Sequence, residues 1–225
     1  MLSDALCSPG VLRPYAAPSN DVSHTTKDSD TPPLISFRKP GAAAIGDFLS
    51  RQAESSFTYP EVGASRGDPP SGYAIDRHTV RLGAGQAVFQ AARDAINRWE
   101  MFNVDWVEVH AADSPIAPGV NVAVLARVLG LWYLNACRIV YLIDETGPVE
   151  TYGFAYGTLR DHAERGEERF TVVWDHADDS ARYEQFAFSR PNHLLARLNY
   201  PLARTVQKRF AKDALAAMAR AVAGS

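Results

Sequence analysis

The apolar positions of this chain repeat with two periods, and each period predicts a different element. Short runs of β-branched and aromatic residues, separated by Gly, Pro, Asp or Asn, predict strands. These runs cover residues 79–82, 105–110, 120–128, 137–143, 150–158, 167–174 and 182–189. Apolar residues three and four positions apart predict helices over 46–57 and 86–102. Because the connections at 144–148 and 175–180 are short and polar, neighbouring strands are expected to form antiparallel hairpins.

The C-terminal end is predicted to be one long helix over residues 201–222. Its apolar stripe repeats every four residues and consists of Leu202, Val206, Phe210, Ala214, Met218 and Val222. Pro201 suits the first helical position, and about 22 residues of helix span about 33 Å. An antiparallel sheet with one apolar face needs a cover of that length. The sequence therefore predicts an α+β fold in which a curved antiparallel sheet of about seven strands wraps around the C-terminal helix.

The domain organisation follows from where the apolar periods begin. Residues 1–45 are rich in Pro, Ser, Asp and Thr and lack such a period, which predicts a disordered or loosely attached N-terminal extension. A loop rich in Gly and Pro is predicted over 59–72. Residues 46–225 show no internal repeat and no second core pattern, so they are predicted to form a single domain.

Composition narrows the class of protein. The 225 residues carry 23 basic and 26 acidic side chains, and this balance argues against binding to nucleic acid or to an anionic membrane surface. The longest apolar run is shorter than the roughly 18–20 residues of a membrane helix, and no secretory leader is visible. Two cysteines, Cys7 and Cys137, exclude a disulfide framework. A cytoplasmic protein is expected, and its oligomeric state is left open.

Several long segments carry a family resemblance. They are Tyr59-Pro-Glu-Val-Gly-Ala, Gly72-Tyr-Ala-Ile-Asp-Arg, Asn135-Ala-Cys-Arg-Ile-Val-Tyr, Gly153-Phe-Ala-Tyr-Gly-Thr-Leu, His162-Ala-Glu-Arg-Gly-Glu-Glu-Arg-Phe, Ala187-Phe-Ser-Arg-Pro and Gln207-Lys-Arg-Phe-Ala-Lys-Asp. Over about residues 46–222 the chain resembles the uncharacterised family called domain of unknown function nineteen-ninety, which implies no established activity. By element order it is also similar to the helix-grip superfamily of START lipid-transfer domains, the birch-pollen allergen and aromatic cyclases. That second resemblance, by topology only, implies a helix-grip fold.

A curved sheet and one long helix can leave an apolar gap between them, which would be the default ligand site. Strand alternation supplies candidates for its lining, with the glycines 153 and 157 leaving room. The candidate ligand-binding residues are Tyr73, Arg138, Tyr156, Glu168, Phe170, Trp174 and Phe186. The alternative for each aromatic residue is an ordinary core position.

Two charged residues stand on otherwise apolar strand faces. Arg138 precedes Ile-Val-Tyr-Leu-Ile, and Glu168 begins a row that ends in Trp174. A buried charge is expensive unless it is paired, so the two are expected either to pair with each other or to bind a polar ligand head. We expect Arg138 to anchor an anionic or carbonyl-bearing ligand, and a structural salt bridge or a rim position is the alternative.

The segment from His162 to Glu168 invites an acid–base or metal interpretation. His162 and Glu164 are candidate catalytic residues in a predicted hairpin loop, whereas Glu167 and Glu168 point to opposite faces and cannot form a dyad. No metal site is expected, because zinc needs three or four ligands and no other His or Cys is suitably spaced. No cofactor is expected either, since Gly83-Ala-Gly-Gln lacks the Lys-Ser/Thr of a phosphate loop.

Three functions remain open at this point. The first is non-catalytic binding of a small hydrophobic or amphipathic molecule between sheet and helix. The second is an enzyme of cyclase or hydrolase type that uses His162, Glu164 or Glu168 in the same place. The third is a protein-interaction module with a filled core. Asp76-Arg77 either closes over the mouth of a cavity or caps the first strand.

Overall fold

The computed structural model describes residues 35–110, 115–192 and 200–224. Within these ranges the strands are β1 Ile35–Ser36, β2 Ala74–Ala84, β3 Val107–His110, β4 Asn121–Val128, β5 Leu131–Glu145, β6 Val149–Thr158, β7 Glu164–Asp175 and β8 Ser180–Pro191. The helices are α1 Ala42–Arg51, α2 Gly85–Asn97 and α3 Tyr200–Ala223. Short 3-10 turns cover Ala64–Arg66 and Glu100–Phe102. The predicted extension 1–45 lies largely outside the described residues, and the predicted domain boundary at residue 45 stays a prediction.

The strands form one antiparallel sheet with the order β2-β8-β7-β6-β5-β4-β3, and β1 pairs with β5 beside this path. From β3 to β8, strands that follow one another in sequence are neighbours in the sheet. The exception is β2, which pairs with β8 and so completes the sheet from the other edge. The sheet has eight strands because the two-residue β1 adds to the seven expected. The predicted fold class is confirmed: a curved antiparallel sheet holds a long C-terminal helix, which is the helix-grip arrangement.

The core lies between the inner face of the sheet and the helices α2 and α3. Alternation in β7 turns Phe170 and Val172 inward, and both are fully buried. The predicted stripe of α3 supplies Ala214, Met218 and Val222 to the same core. Helix α2 is shorter than predicted because Trp99 adopts a left-handed conformation at φ 59°, which ends the helix before the 3-10 turn.

A β-bulge in β5 changes which residues face the core. The register with β6 shifts between Ile139 and Tyr141. Before the bulge, Cys137 and Ile139 belong to the inner core, whereas after it Tyr141 and Ile143 pack on the outer face. A simple period of two therefore fails across this strand.

The outer face of the sheet is also covered. Ile45 and Phe48 of α1 pack on β4 and β5, in a cluster with Leu125 and Leu134. Farther along the sheet, Tyr59 packs on Phe188 with ring centroids 5.7 Å apart. The sheet is thus apolar on both sides at these strands, and the outer cover comes from residues that precede β2.

A buried carboxylate fixes the outer loop. Glu167 accepts hydrogen bonds from the Tyr59 hydroxyl at 2.7 Å, the Gly63 N–H at 2.7 Å and the Ser65 N–H at 2.9 Å. The Ser65 hydroxyl donates to the same carboxylate. Burial raises the pKa of Tyr59 far above its ordinary value, and the charge of Glu167 adds to the rise. Glu167 thereby holds the 59–66 loop against the sheet.

Candidate ligand-binding hollow

A hollow of about 650 Å³ lies between the inner face of the sheet and the first half of α3. Small-molecule sites commonly have volumes of about 300–1,000 Å³. The residues that α3 contributes to its lining are Leu202, Ala203, Val206, Gln207, Phe210 and Ala211. From Ala214 onward the apolar stripe of the helix is buried in the core. The hollow therefore occupies the N-terminal part of the contact between helix and sheet.

The side of the hollow near β3 and β4 is apolar and aromatic. Phe102 and Trp106 line it from the segment that leads into β3, and the Phe210 ring lies 5.2 Å from the Phe102 ring. The Trp106 indole N–H donates to Asp213 over 2.9 Å, which fixes the ring against α3. Strand β4 adds Val124, Ala126 and Val128. This apolar side offers the contact area that an aromatic or aliphatic ligand needs.

The opposite side of the hollow, along β2, β8 and β7, is polar. The register places Asp76 beside Ala187 and Ala187 beside Glu168, so two carboxyl groups flank one small side chain. Ala187 leaves open space between them. We refer to Asp76, His78, Glu164, Glu168, Gln185 and Ser189 as the polar side.

Glu168 is hydrogen-bonded to neighbouring side chains within the hollow. The Tyr156 hydroxyl donates to one carboxyl oxygen at 2.7 Å, and the Gln185 amide donates to the other at 2.5 Å. Burial raises the pKa of Glu168, and these two hydrogen bonds oppose the rise. The negative charge of Asp76 raises it further. Glu168 is thus a carboxyl group whose ionisation is disfavoured.

Glu164 lies at the start of β7 on the same inner face as Glu168. Burial raises its pKa to about 7, and the nearby polar side chains of Ser189 and Gln207 oppose the rise. The Gln207 amide donates to the Glu164 carboxyl group and also to the Ser189 hydroxyl, the latter at 3.0 Å. Near neutral pH this carboxyl group is therefore divided between its protonated and ionised forms.

His162 lines the hollow just before β7 but is not bonded to the Glu164 carboxyl group. Its Nδ1 accepts a hydrogen bond from the backbone N–H of Glu164 at 3.0 Å. Although the ring keeps some surface towards the hollow, burial lowers its pKa to about 4. The imidazole is thus neutral near pH 7, with its proton on Nε2.

The structure divides the predicted site residues among the hollow, the closed core and the outer face of the sheet. Tyr156 and Glu168 line the hollow, and so do the catalytic candidates His162 and Glu164. Glu164 opens β7 instead of lying in the predicted hairpin loop. Phe170 faces inward but is closed into the core, where its ring packs on those of Phe102 and Phe154.

Trp174 also faces inward, beyond the hollow at the end of β7. Its ring lies 5.9 Å from Phe89 of α2 and stacks on His176 at 4.0 Å. The indole N–H donates to Asp179 at 2.9 Å, in the turn between β7 and β8. Trp174 therefore packs α2 against the sheet.

The position of Arg138 contradicts the prediction that this residue lines the hollow and anchors a ligand. It lies on the outer face of β5 and donates to the carbonyl oxygens of Gln52 at 2.8 Å, Ala53 at 2.8 Å and Ser55 at 2.9 Å. A further hydrogen bond goes to the Asn121 side chain at 2.7 Å. Arg138 therefore caps the end of α1, and the expected pair with Glu168 does not form. Because Arg138 satisfies carbonyl groups that a longer helix would bond internally, α1 can end at Arg51, earlier than predicted.

Tyr73 and Phe186 are likewise on the outer face. The Tyr73 ring lies 5.1 Å from Phe188, and Phe186 belongs to the same cluster with Tyr59. The glycines expected to make room for a ligand also face outward, since a Cβ at Gly157 would lie 2.1 Å from the Tyr59 hydroxyl oxygen. The aromatic row of β8 thus packs against the outer loop and not against the hollow.

Sequence reasoning missed most of the polar side. Asp76 lines the hollow and is paired with Arg204 of α3, instead of only closing a mouth or capping a strand. Gln185 and Gln207 were not identified at all. The alternation of β2 could have identified two of these residues. Asp76 and His78 lie on the same strand face as Val80 and Leu82, which pack against the core.

Comparison with known proteins assigns this chain to a family. The model of the domain of unknown function DUF1990 matches residues 58–217. The chain belongs to the DUF1990 family. A UPF0548 protein of Dictyostelium discoideum is 35% identical over 208 residues, covering 84% of this chain and 96% of its own. A UPF0548 protein of Deinococcus radiodurans is 35% identical over 200 residues, covering 84% and 98%.

Solved structures with some likeness in shape share little sequence with the DUF1990 chain. Ara h 8.0201 is 12% identical with a TM-score of 0.42, covering 68% of this chain and 100% of its own. Norcoclaurine synthase from Thalictrum flavum is 11% identical with a TM-score of 0.43, covering 70% and 98%. Human STARD10 is 9% identical with a TM-score of 0.32, covering 79% and 81%. The fold assignment rests on the strand order and on α3 described above.

Two features are absent from the described residues. None of the described helices combines the length and apolar character needed to cross a bilayer. Nor do the described His, Cys, Asp and Glu residues form a group of three placed to hold a metal ion.

Proposed function

We propose that this DUF1990 chain binds a small, largely apolar molecule in the hollow and releases it chemically unchanged. The observation that carries the proposal is the hollow itself, with an aromatic side at Phe102, Trp106 and Phe210 and a polar side across from it. Burying about 100 Å² of apolar ligand surface would contribute about 2.5 kcal/mol. The polar side would orient the ligand by hydrogen bonds.

The preference for binding over catalysis rests on how the polar groups are arranged. Within the described residues, His162 bonds to a backbone N–H and to no carboxyl group, so none of those carboxyl groups orients it as a base. Glu168 is already held by Tyr156 and Gln185. These contacts suit a site that binds a ligand without transferring a proton to or from it.

An acid–base enzyme is the second candidate, and one observation favours it. Glu164 lines the hollow with a pKa of about 7, which suits a group that exchanges a proton near neutral pH. A protein-interaction module with a filled core is less well supported, because the described residues leave a hollow between sheet and α3.

Fluorescence titration with N-phenyl-1-naphthylamine, an uncharged apolar dye, tests the proposal. Val206→Trp places a bulky ring in the hollow from α3, whereas Leu142→Trp adds the same ring at an exposed position of β5 that does not line the hollow. We expect saturable binding to the parent chain, at least about tenfold weaker binding to Val206→Trp, and a change within about twofold for Leu142→Trp. Circular dichroism verifies that both variants fold.

Two outcomes would overturn the proposal. One is a parent chain that shows no saturable dye binding. The other is a folded Val206→Trp variant that binds the dye as tightly as the parent does, which would place the dye outside the hollow.

A further inference from the structure

The charged residues in the hollow have one sign. The inner face contributes the carboxyl groups of Asp76, Glu164 and Glu168 to its lining, and no Lys or Arg is among the described lining residues. Arg204 reaches Asp76 at the border and balances that one carboxylate. An anionic ligand head would therefore meet carboxyl groups, which argues against the anionic choice in the expectation of an anionic or carbonyl-bearing ligand.

The polar side also presents acceptor atoms that have no donor. Gln185 is only 3% exposed, and its amide N–H is used by Glu168 while its Oε1 has no hydrogen-bond partner. The Oε1 of Glu164 is buried without a partner as well. Both residues line the hollow. Because a buried acceptor can be satisfied only by a donor, these two atoms indicate a ligand with several donors.

We propose that the polar side binds a protonated amine at the head of the apolar ligand, with Glu164 and Glu168 as its carboxylate partners. This inference rests on the proposed function, and it names the chemical class of the ligand. A primary ammonium group carries three donors and no acceptor, which matches a surface of acceptors. A hydroxyl group offers one donor and brings lone pairs of its own, so it matches that surface less well.

Electrostatics favour the same ligand. The charged and titratable groups around Glu164 and Glu168 in the described residues are Asp76 and His78 on β2, Cys137 on β5, Tyr156 on β6, His162 before β7, Tyr183 on β8 and Arg204 on α3. Arg204 is paired with Asp76, and His162 is neutral near pH 7. A bound ammonium group would stabilise the ionised forms of Glu164 and Glu168, so binding at neutral pH should release a proton to the solvent.

Three probes with one ring system test the inference by isothermal titration calorimetry on the full chain. They are 1-naphthylmethylamine, 1-naphthalenemethanol and 1-naphthoic acid. We expect the amine to bind at least about tenfold more tightly than the alcohol, and the acid to bind more weakly than both. The amine heat should differ between phosphate and Tris buffers because a proton is released, whereas the alcohol heat should not.

Isosteric variants locate the effect. Glu164→Gln and Glu168→Gln should each weaken amine binding about tenfold and change alcohol binding by less than about threefold. Glu145→Gln, at the exposed end of β5, is the matched control and should change neither. If one Gln variant fails to fold by circular dichroism, the other carries the test.

The failures are distinguishable. If the alcohol binds and the amine binds no better, or if the acid binds best, the amine assignment is overturned while binding in the hollow stands. If none of the three probes gives saturable heat and N-phenyl-1-naphthylamine does not bind, the proposed function is overturned as well.

Discussion

The guanidinium of Arg204 on α3 donates to both carboxylate oxygens of Asp76 on β2, with 2.6 Å between Nη2 and Oδ1. Arg204 also donates to Gln207 at 2.7 Å, and Gln207 in turn contacts Glu164. This chain of contacts lies at the border of the hollow, whereas Val206 and Phe210 in the same half of α3 pack against the core. Polar contacts therefore add to apolar packing in holding the first half of α3 against β2 and β7.

Asp76→Asn should lower the free energy of unfolding by about 2 kcal/mol, because it leaves the half-buried Arg204 without its counter-charge. Urea unfolding at neutral pH measures the change. Glu108→Gln is the control, since its pair with Lys39 is exposed and should contribute less than about 1 kcal/mol. Equal losses in the two variants would show that the Asp76 pair has no special role in holding α3.

Arg138→Ala should destabilise the chain without weakening ligand binding. The substitution removes the donors to three carbonyl groups at the end of α1, and we expect a loss of about 2 kcal/mol. Arg138→Lys keeps the charge but cannot span the same acceptors, so it should fall between Ala and the parent chain. Dye affinity measured well below the unfolding transition should stay within about twofold of the parent value. A stable Arg138→Ala chain that no longer binds the dye would contradict the outer-face assignment.

Gly157→Ala should be strongly destabilising although the change is one methyl group. The new Cβ would lie 2.1 Å from the Tyr59 hydroxyl oxygen, and Tyr59 is held in place by Glu167 at 2.7 Å. We expect a loss of about 2–3 kcal/mol in urea unfolding. Gly46→Ala is the matched control, because open space surrounds that helical position and the change should stabilise by about 0.5–1 kcal/mol. A similar effect at both positions would mean that Tyr59 moves aside at little cost.

How far the sequence predicted this structure depends on how local each signal is. The alternation in β7 and the four-residue stripe of α3 are local patterns, and they correctly indicate the inner face and the covering helix. Alternation cannot say which of two apolar faces meets the hollow when both faces are covered, and for this reason Phe186 was assigned to the wrong side. The bulge in β5 reverses the alternation without a marker in the sequence.

The polar contacts of the site could not be predicted for a different reason. Arg138 reaches Gln52, and Gln207 reaches Glu164, across long separations in sequence. Each pairing depends on the three-dimensional register of elements that local periodicity does not determine. The sequence therefore indicated a buried carboxyl group at Glu168 but not its true partners, Tyr156 and Gln185.

The titration of Glu164 should make stability fall as pH rises. Its pKa is about 7 in the folded chain, against an ordinary value of 4.5, so between these values the folded chain keeps a proton that the unfolded chain has lost. Stability from this group is present below pH 4.5 and is lost as pH rises through 7. His162 acts in the opposite direction, because its pKa falls from 6.5 to about 4 and acidification charges the unfolded chain first.

Comparison of Glu164→Gln with the parent chain at each pH separates the two groups, since His162 is present in both. The difference in unfolding free energy between parent and variant should shift by at most about 3 kcal/mol between pH 4.5 and 7, to the disadvantage of the parent. Urea unfolding across that range, in buffers of constant ionic strength, gives the difference directly. Parallel curves for the two chains would mean that Glu164 titrates alike in the folded and unfolded states, and the hollow would then lack the buried carboxyl group on which amine recognition depends.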